Sequence, residues 1–261
     1  MIIELNDISY GEHERQILDI SYDDALADQP WVCYFHSGGF NSGDKSSIED
    51  ELRQGFLDAG IAVISANYRF IDDTPLVELI TDVSKVMRHC ESADWNLSAD
   101  RIGLIGASAG AGLTLCTGLG PEAGKVKVMA SFDGQFSYDF CQWEEWIGPL
   151  PPGNTSEAHL IYHLKDEATT FLDEHQEMRD KLDMRGLIRS DSCPLLLWTR
   201  CPYEKWDKDM TVYLHTPRHQ EILADRYKEL GLDYELYIEH ADPPFMGNIN
   251  EKTVAFIQRY I

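Results

Sequence analysis

The chain has 261 residues, a length at which one domain can bury roughly 70% of its unfolded surface without disulfide or metal staples. Its formal net charge is −23 at pH 7, because the chain has 45 acidic and 22 basic residues. An acidic surface of this strength repels phosphate backbones, which argues against nucleic acid as a partner. No repeat or flexible linker divides the chain, so we expect a single domain over residues 1–261.

The N-terminal segment and the cysteines bear on the compartment. Residues Met1–Asp7 lack the basic region and apolar run of a secretory signal. No apolar stretch approaches the ~20 residues needed to span a bilayer. The six cysteines are spread singly, with no CxxC pair, which favours free thiols over a disulfide framework. We therefore expect a soluble, cytoplasmic protein without a membrane partner, and a homo-oligomer is compatible with the sequence.

Apolar runs of strand length alternate with helix-like stretches through the first half of the chain. In order, the predicted elements are the strand Trp31–Phe35, a helix over Ser47–Ala59, the strand Ile61–Ile64, a helix over Leu76–Met87, the strand Arg101–Ile105, a helix over Ala109–Leu119 and the strand Lys127–Phe132. Such alternation is typical of a mostly parallel sheet covered by helices. The predicted fold class is therefore α/β.

The alternation breaks between about residues 135 and 190. This segment holds a cluster of aromatic residues, a Pro- and Gly-rich loop and a charged helical stretch from Ser156 to about Leu182. We expect it to be an insertion over the sheet that acts as a cap or lid. After it, the sequence predicts the strand Leu195–Trp198, a helix over Pro217–Leu230, the strand Tyr234–Ile238 and a terminal helix.

A GxSxG motif, Gly106-Ala107-Ser108-Ala109-Gly110, lies between the strand that ends at Ile105 and the following helix. The motif alone is a weak signal. In a strand–turn–helix setting it is typical of a nucleophile elbow, where small flanking residues let the chain turn sharply and expose the hydroxyl. The N-terminus of the next helix favours negative charge at that point. We therefore predict Ser108 as a catalytic nucleophile, with a structural Gly-rich turn as the alternative.

A second glycine-containing turn, His36-Ser37-Gly38-Gly39-Phe40, directly follows the strand Trp31–Phe35. Glycines let backbone N–H groups face a substrate, so this turn and the N–H after the nucleophile can together bind the oxyanion of acyl transfer. The predicted donors are the N–H groups of Gly38, Gly39 and Ala109. An ordinary βα turn is the alternative, but the order and spacing of the two turns argue against coincidence.

These motifs, together with Asn67-Tyr68-Arg69 after a strand and Asp100-Arg101-Ile102, resemble those of hormone-sensitive-lipase-like carboxylesterases and their feruloyl-esterase and acetyl-esterase relatives. The resemblance covers about Trp31 to Ala130 well and the last part of the chain loosely. It implies an α/β-hydrolase fold, no cofactor, and hydrolysis of small carboxylic esters. This chain departs from the family at Ser37, where a third glycine is common, and at Gly110-Ala111, where two glycines are frequent.

The remaining triad members should follow the nucleophile in the order carboxylate, then histidine. His240 comes soon after the predicted strand Tyr234–Ile238 and is the predicted base, with a surface histidine as the alternative. The residues after His240 depart from the family, which often has a small residue and an aromatic directly after the histidine. Here Ala241-Asp242-Pro243-Pro244 separate His240 from Phe245.

The other histidines are weaker candidates. His215 and His219 are four residues apart, but Pro217 suits the first turn of a helix and keeps the two off one continuous helix face. There is no HExxH and no other dense cluster of ligand residues in the sequence, so no catalytic metal is predicted.

The triad acid should follow the strand Leu195–Trp198, and three acidic residues, Glu204, Asp207 and Asp209, lie in the loop there. In relatives, an apolar residue leading into the next helix commonly comes three residues after the acid. Val212 has this spacing from Asp209, which is therefore preferred. The spacing between the acid and the next helix is not fixed to within two residues, so Asp207 and Glu204 stay as alternatives.

The combined prediction is a serine hydrolase that cleaves small carboxylic esters with a Ser-His-Asp triad, through an acyl-enzyme. Its partner would be a small-molecule ester. A non-catalytic ligand-binding member of the fold is the alternative from another class, although such proteins tend to have lost the base. An arylformamidase, a peptidase or a thioesterase could use the same triad and remains open.

Overall fold

The computed structural model of the chain describes residues 1–151, 158–164, 172–203 and 210–261. Within these ranges the strands are β1 (Ile2–Ser9), β2 (Ile17–Asp23), β3 (Gln29–Phe35), β4 (Ala62–Ala66), β5 (Leu97–Ala107), β6 (Val126–Phe132), β7 (Leu195–Thr199) and β8 (Tyr234–Ile238). The helices are α1 (Asp50–Asp58), α2 (Leu76–Ser92), α3 (Ala109–Leu119), α4 (Cys141–Trp146), α5 (Ala158–Tyr162), α6 (Gln176–Asp180), α7 (Met184–Leu187), α8 (Met210–His215), α9 (Arg218–Leu230) and α10 (Ile249–Ile257).

These strands pair into one sheet in the order β1-β2-β4-β3-β5-β6-β7-β8. β2 pairs antiparallel with both β1 and β4, whereas the neighbours from β4 to β8 are all parallel. The register sets Phe35 of β3 beside Gly106 of β5, and Ala107 of β5 beside Phe132 of β6. The carboxyl ends of β3, β5, β6 and β7 therefore meet at one edge, where open α/β sheets bind their ligands.

The α/β fold class and the order of elements between residues 31 and 132 are confirmed. The helix expected from Ser47 begins instead at Asp50, because Lys45–Ser47 form a separate 3₁₀ turn in which the Asp44 side chain accepts from Ser46 N. The hairpin of β1 and β2 was not predicted. β1 is an edge strand whose residues are at most half-buried, so it carries no continuous apolar run.

The segment from about 135 to 190 contributes the short helices α4 to α7. The predicted charged helix from Ser156 to about Leu182 lies partly outside the described residues, and its described part consists of α5, a 3₁₀ turn at Asp173–His175 and α6. Its expected action as a cap or lid stays a prediction. Among the helices that the structure describes, none has the length and apolar character needed to cross a bilayer.

The sheet is covered on both faces, which explains why its central strands are continuous apolar runs rather than alternating ones. One apolar layer includes Trp31, Leu104 and Leu113 and lies on the side of α2, α3 and α9. The other includes Phe56 of α1 and Phe256 of α10. The strands are thus fixed from both sides, and the carboxyl edge of the sheet is a rigid support for the loops that leave it.

Gly110, in the first turn of α3, lies against the backbone at the end of β3. A Cβ atom at Gly110 would lie 2.1 Å from the Phe35 carbonyl oxygen and 2.6 Å from that of His36. These contacts are with backbone atoms, which cannot rotate away. The missing side chain therefore lets α3 start directly beside the end of β3.

We expect Gly110→Ala to lower the free energy of unfolding by about 1–3 kcal/mol, the usual cost of overpacking. Helix propensity alone predicts the opposite sign, a gain of about 1 kcal/mol. Urea denaturation followed by circular dichroism would decide. Gly124→Ala is the matched control, since a Cβ there has no atom within 4 Å, and we expect a change within about 0.5 kcal/mol. A Gly110→Ala protein as stable as wild type would contradict the proposed close approach.

Candidate active site

Ser108 stands at the sharp turn between β5 and α3. Its backbone has φ 48° and ψ −113°, a conformation that is strained for a residue with a side chain. Its N–H donates to the Phe132 carbonyl oxygen at 2.7 Å, and a Cβ at Gly106 would lie 2.2 Å from the Gly110 carbonyl oxygen. This is the geometry of a nucleophile elbow, and it presents the Ser108 hydroxyl at the carboxyl edge of the sheet.

The structure brings a histidine to this hydroxyl. Ser108 Oγ lies 2.9 Å from Nε2 of His215, the last residue of α8. The other ring nitrogen, Nδ1, lies 3.0 Å from the Thr211 carbonyl oxygen. Since a carbonyl only accepts, Nδ1 carries the proton in the neutral ring and Nε2 has a free lone pair. His215 can therefore accept the hydroxyl proton of Ser108, as a general base does.

Helix α8 is held in place by contacts to its last carbonyl groups. Gln135 Nε2 donates to the Leu214 carbonyl oxygen at 2.8 Å, and His219 Nε2 lies 3.1 Å from that of Tyr213. The Tyr213 hydroxyl donates to the Gly148 carbonyl oxygen at 2.8 Å. Burial lowers the pKa of His219 to about 3, so this ring stays neutral. These contacts fix the helical turn that carries His215.

The glycine turn after β3 lines the same cleft. Gly38 and Gly39 have φ of 129° and 61°, and the Gly38 carbonyl accepts from Asn41 N at 3.1 Å and Ser42 N at 3.0 Å. Within the described parts of the chain, the N–H groups of Gly38, Gly39 and Ala109 have no hydrogen-bond acceptor. They are available to bind an oxyanion.

The cleft has a volume of about 600 Å³. It combines polar residues with an apolar wall; its lining includes Tyr34, Ser37, Ser47, Glu49, Leu52, Ser108, Phe132, Asp133, Trp198, Arg200, His215, Ile249 and Asn250. In the described ranges, no three His, Cys, Asp or Glu residues are grouped so that they could hold a metal ion.

Asp133, directly after β6, lies in this cleft but is engaged elsewhere. Its carboxylate accepts from Thr199 Oγ1 at 2.9 Å and from Arg200 N at 3.1 Å, and it pairs with Arg200 Nε at 3.1 Å. It is therefore tied to the end of β7 rather than to His215.

His240, the predicted base, is not the histidine that the structure sets against Ser108. It is exposed in the turn after β8 and does not line the cleft. The loop folds back on its own strand, because Ala241 N and Phe245 N both donate to the Ile238 carbonyl. Phe245 also packs on Tyr237 of β8, with ring centroids 4.6 Å apart. The two prolines at 243 and 244 thus belong to a loop that closes on β8.

Sequence reasoning passed over His215 because it expected the base after the last strand. One signal was available: the apolar stretch Met210–Leu214 ends at His215, just before Thr216-Pro217. It places a short helix, with a histidine at its end, in the connection after β7. The predicted acid Asp209 and its alternatives Asp207 and Glu204 lie outside the described residues.

Comparison with known proteins gives three kinds of match. The BD-FAE family model matches residues 18–181, more than half of the chain. Esterase LipI of Mycobacterium tuberculosis is 35% identical over 86 residues, which are 32% of this chain and only 27% of that protein. The chain thus spans about a quarter of the length of this curated relative.

Solved structures share the fold over nearly the whole chain. A truncated carbohydrate esterase from gut microbiota has a TM-score of 0.74 at 16% identity, covering 98% of this chain and 95% of that one. Esterase B from Lactobacillus rhamnosis has a TM-score of 0.70 at 17% identity, covering 99% and 86%. The sheet order agrees with the α/β-hydrolase fold of these solved structures. Because the family model matches more than half of the chain, the chain belongs to the BD-FAE family.

Proposed function

We propose that this protein hydrolyses small carboxylic esters through an acyl-enzyme, with Ser108 as nucleophile and His215 as general base. The observation that carries the proposal is the 2.9 Å distance from Ser108 Oγ to His215 Nε2, in a cleft lined by the glycine turn. The N–H groups of Gly38, Gly39 and Ala109 are the proposed oxyanion donors. Asp209 remains the proposed acid.

In the first step, His215 Nε2 removes the Ser108 proton as the Oγ atom attacks the ester carbonyl carbon. The carbonyl π electrons move to its oxygen, and the oxyanion accepts hydrogen bonds from the backbone N–H groups. When the tetrahedral intermediate collapses, the proton passes from His215 to the leaving alkoxide. Water then attacks the acyl-enzyme by the same route and releases the acid.

The cleft supports an ester with a small acyl group and a polar alcohol part. The Tyr34 and Ser47 hydroxyls, the Asn250 amide and the Arg200 guanidinium can bind hydroxyl groups, and Trp198 offers an apolar surface. A sugar ester fits this lining, in keeping with the carbohydrate esterase among the structural neighbours. A panel of matched esters, amides and thioesters would separate this reaction from that of a peptidase or thioesterase.

The described part of the segment 135–190 also takes part in the proposed site, as a cap that holds the base. Trp143 of α4 packs against Tyr213 of α8, with ring centroids 5.8 Å apart. Together with the bond from Tyr213 to the Gly148 carbonyl, this contact ties the segment to the helix that carries His215. We therefore assign the segment a structural part in the orientation of the base.

Ser108→Ala should lower kcat for p-nitrophenyl acetate by a factor on the order of 10⁶, because an activated nucleophile is lost. The circular dichroism spectrum and melting temperature should match wild type. A fluorophosphonate probe should label the wild-type protein and not the variant, with labelling read by mass spectrometry. Failure of the wild-type protein to be labelled would favour the non-catalytic binding protein instead.

The two candidate bases can be compared directly. His215→Gln should lower kcat by roughly 10⁴-fold or more, whereas His240→Gln should leave it within about threefold. Each variant removes one imidazole, and His240 is exposed and away from the cleft, so it serves as the matched control. The reverse pattern, a large loss only in His240→Gln, would restore His240 as the base and overturn the assignment to His215.

For the triad acid, Asp209→Asn should lower kcat by roughly 10⁴-fold, as in a comparable triad where the amide cannot stabilise the imidazolium. Asp207→Asn and Glu204→Gln should stay near wild type. A large loss in either of those two would move the acid there. Three near-wild-type variants would mean that the Thr211 carbonyl, which holds His215 Nδ1 at 3.0 Å, orients the base without an acid.

A further inference from the structure

Arg15, in the turn between β1 and β2, reaches the loop that carries the proposed oxyanion donors. Its Nη2 lies 3.2 Å from His36 Nε2 and donates to the Gly43 carbonyl at 3.1 Å. Its Nε donates to the Tyr68 carbonyl at 2.9 Å, and its Cζ lies 3.7 Å from the centre of the Phe70 ring. One guanidinium thus joins an edge hairpin, the end of β3 and the chain after β4.

These contacts fix the protonation of His36. A guanidinium only donates hydrogen bonds, so His36 Nε2 must accept from Arg15 and carries no proton in the neutral ring. The proton is then on Nδ1, which lies 2.7 Å from the Ser37 carbonyl oxygen and donates to it. Burial lowers the pKa of His36 and the charge of Arg15 lowers it further, so the ring stays neutral.

The ring itself has little freedom to move. It stacks on Tyr68, with centroids 4.3 Å apart and planes 16° from parallel, and the Tyr68 hydroxyl donates to the His36 carbonyl at 2.8 Å. A Cβ at Gly43 would lie 2.2 Å from the Ser37 carbonyl oxygen and 2.5 Å from His36 Nδ1. The Ser37 carbonyl is therefore enclosed between the imidazole and the backbone of Gly43.

The direction of this carbonyl decides the direction of one oxyanion donor. The Ser37 carbonyl and the Gly38 N–H belong to the same peptide plane, and in a trans peptide they point in opposite directions. A carbonyl held toward His36 Nδ1 turns the Gly38 N–H away from His36. Gly38 lines the cleft beside Ser108, and its N–H has no acceptor in the described parts of the chain.

We propose that Arg15 is a positioning residue for catalysis: by fixing the tautomer of His36, it locks the Ser37–Gly38 peptide with its N–H toward the substrate oxyanion. Without the guanidinium, the proton can move to His36 Nε2, and the bare Nδ1 lone pair then repels the Ser37 carbonyl. The peptide is free to rotate, and a donor is lost from the oxyanion hole. The inference rests on the proposed esterase activity.

The first test is Arg15→Met, which keeps an apolar side chain over Phe70 but removes every donor. Removal of one oxyanion donor costs about 10²–10³ in kcat, and a peptide that is free to rotate loses its donor only part of the time. We therefore expect a smaller fall, of about 10- to 100-fold for p-nitrophenyl acetate, with KM within about threefold. The rate of labelling by a fluorophosphonate probe should fall in parallel. Arg15→Lys, which keeps a cation able to donate to Nε2, should recover at least about a third of wild-type kcat.

Arg53→Met is the matched control, because Arg53 also ties the N-terminal hairpin to the domain, through an ion pair of 2.6 Å with Glu4. If Arg15 had only a structural role, both substitutions would lower the melting temperature. The two variants would then have the same kcat per folded molecule. Equal kcat in Arg15→Met and Arg53→Met would overturn the inference, while the activity of the wild type would still stand.

A double-mutant cycle gives a second, independent readout. His36→Asn sets an amide N–H near the position of Nδ1, and an amide has no tautomer for Arg15 to fix. In that background, Arg15→Met should change kcat by less than about threefold, because the two residues act through one hydrogen bond. If the losses in kcat of the two single variants add up in the double variant, the proposed action of Arg15 through His36 is wrong. A wild-type protein that shows no esterase activity and no labelling of Ser108 would instead count against the proposed function.

Discussion

The backbone conformation of Ser108 is the constraint on which the proposed active site depends. A residue with a side chain in this strained region costs on the order of 1–3 kcal/mol, and the surrounding structure must supply that energy. It does so through the bond from Ser108 N to the Phe132 carbonyl, and through the glycines at 106 and 110, which leave room for backbone against backbone. The hydroxyl is fixed because the strands and α3 around it are buried on both sides.

The proposed base, His215, depends less on a special backbone conformation than the proposed nucleophile, Ser108, does. A general base has only to place one nitrogen within hydrogen-bond reach of the hydroxyl, and several loops leave the same edge of the sheet. In this chain the turn after β8 folds back on its strand, and the short helix α8 after β7 carries His215 to Ser108. Gln135 and Gly148 of the insertion contact that helix, so a segment remote in sequence helps to orient the imidazole.

Although the protein is strongly acidic, buried and partly buried cations link the N-terminal hairpin and the chain after β4 to the elements around them. Lys45 is nearly fully buried and pairs with Asp7 and Asp19, each at 2.9 Å. Arg69 pairs with the fully buried Asp82 at 2.9 Å. Arg15 reaches the same region in space, through the Tyr68 and Gly43 carbonyls and the His36 ring. In our proposal, the edge hairpin thus contributes to the active site through Arg15 without lining the cleft.

The sequence by itself determined the α/β class, the central strands and the two glycine-containing turns, because these depend on local properties. Continuous apolar runs report strands buried on both faces, and glycines report turns that a side chain would block. The same local reasoning missed β1, a half-exposed edge strand, and passed over His215. Which histidine meets Ser108 was decided only by the tertiary structure. The distance between a ring and a hydroxyl 107 residues apart depends on how each loop packs, and neither loop's own residues encode the position of the other.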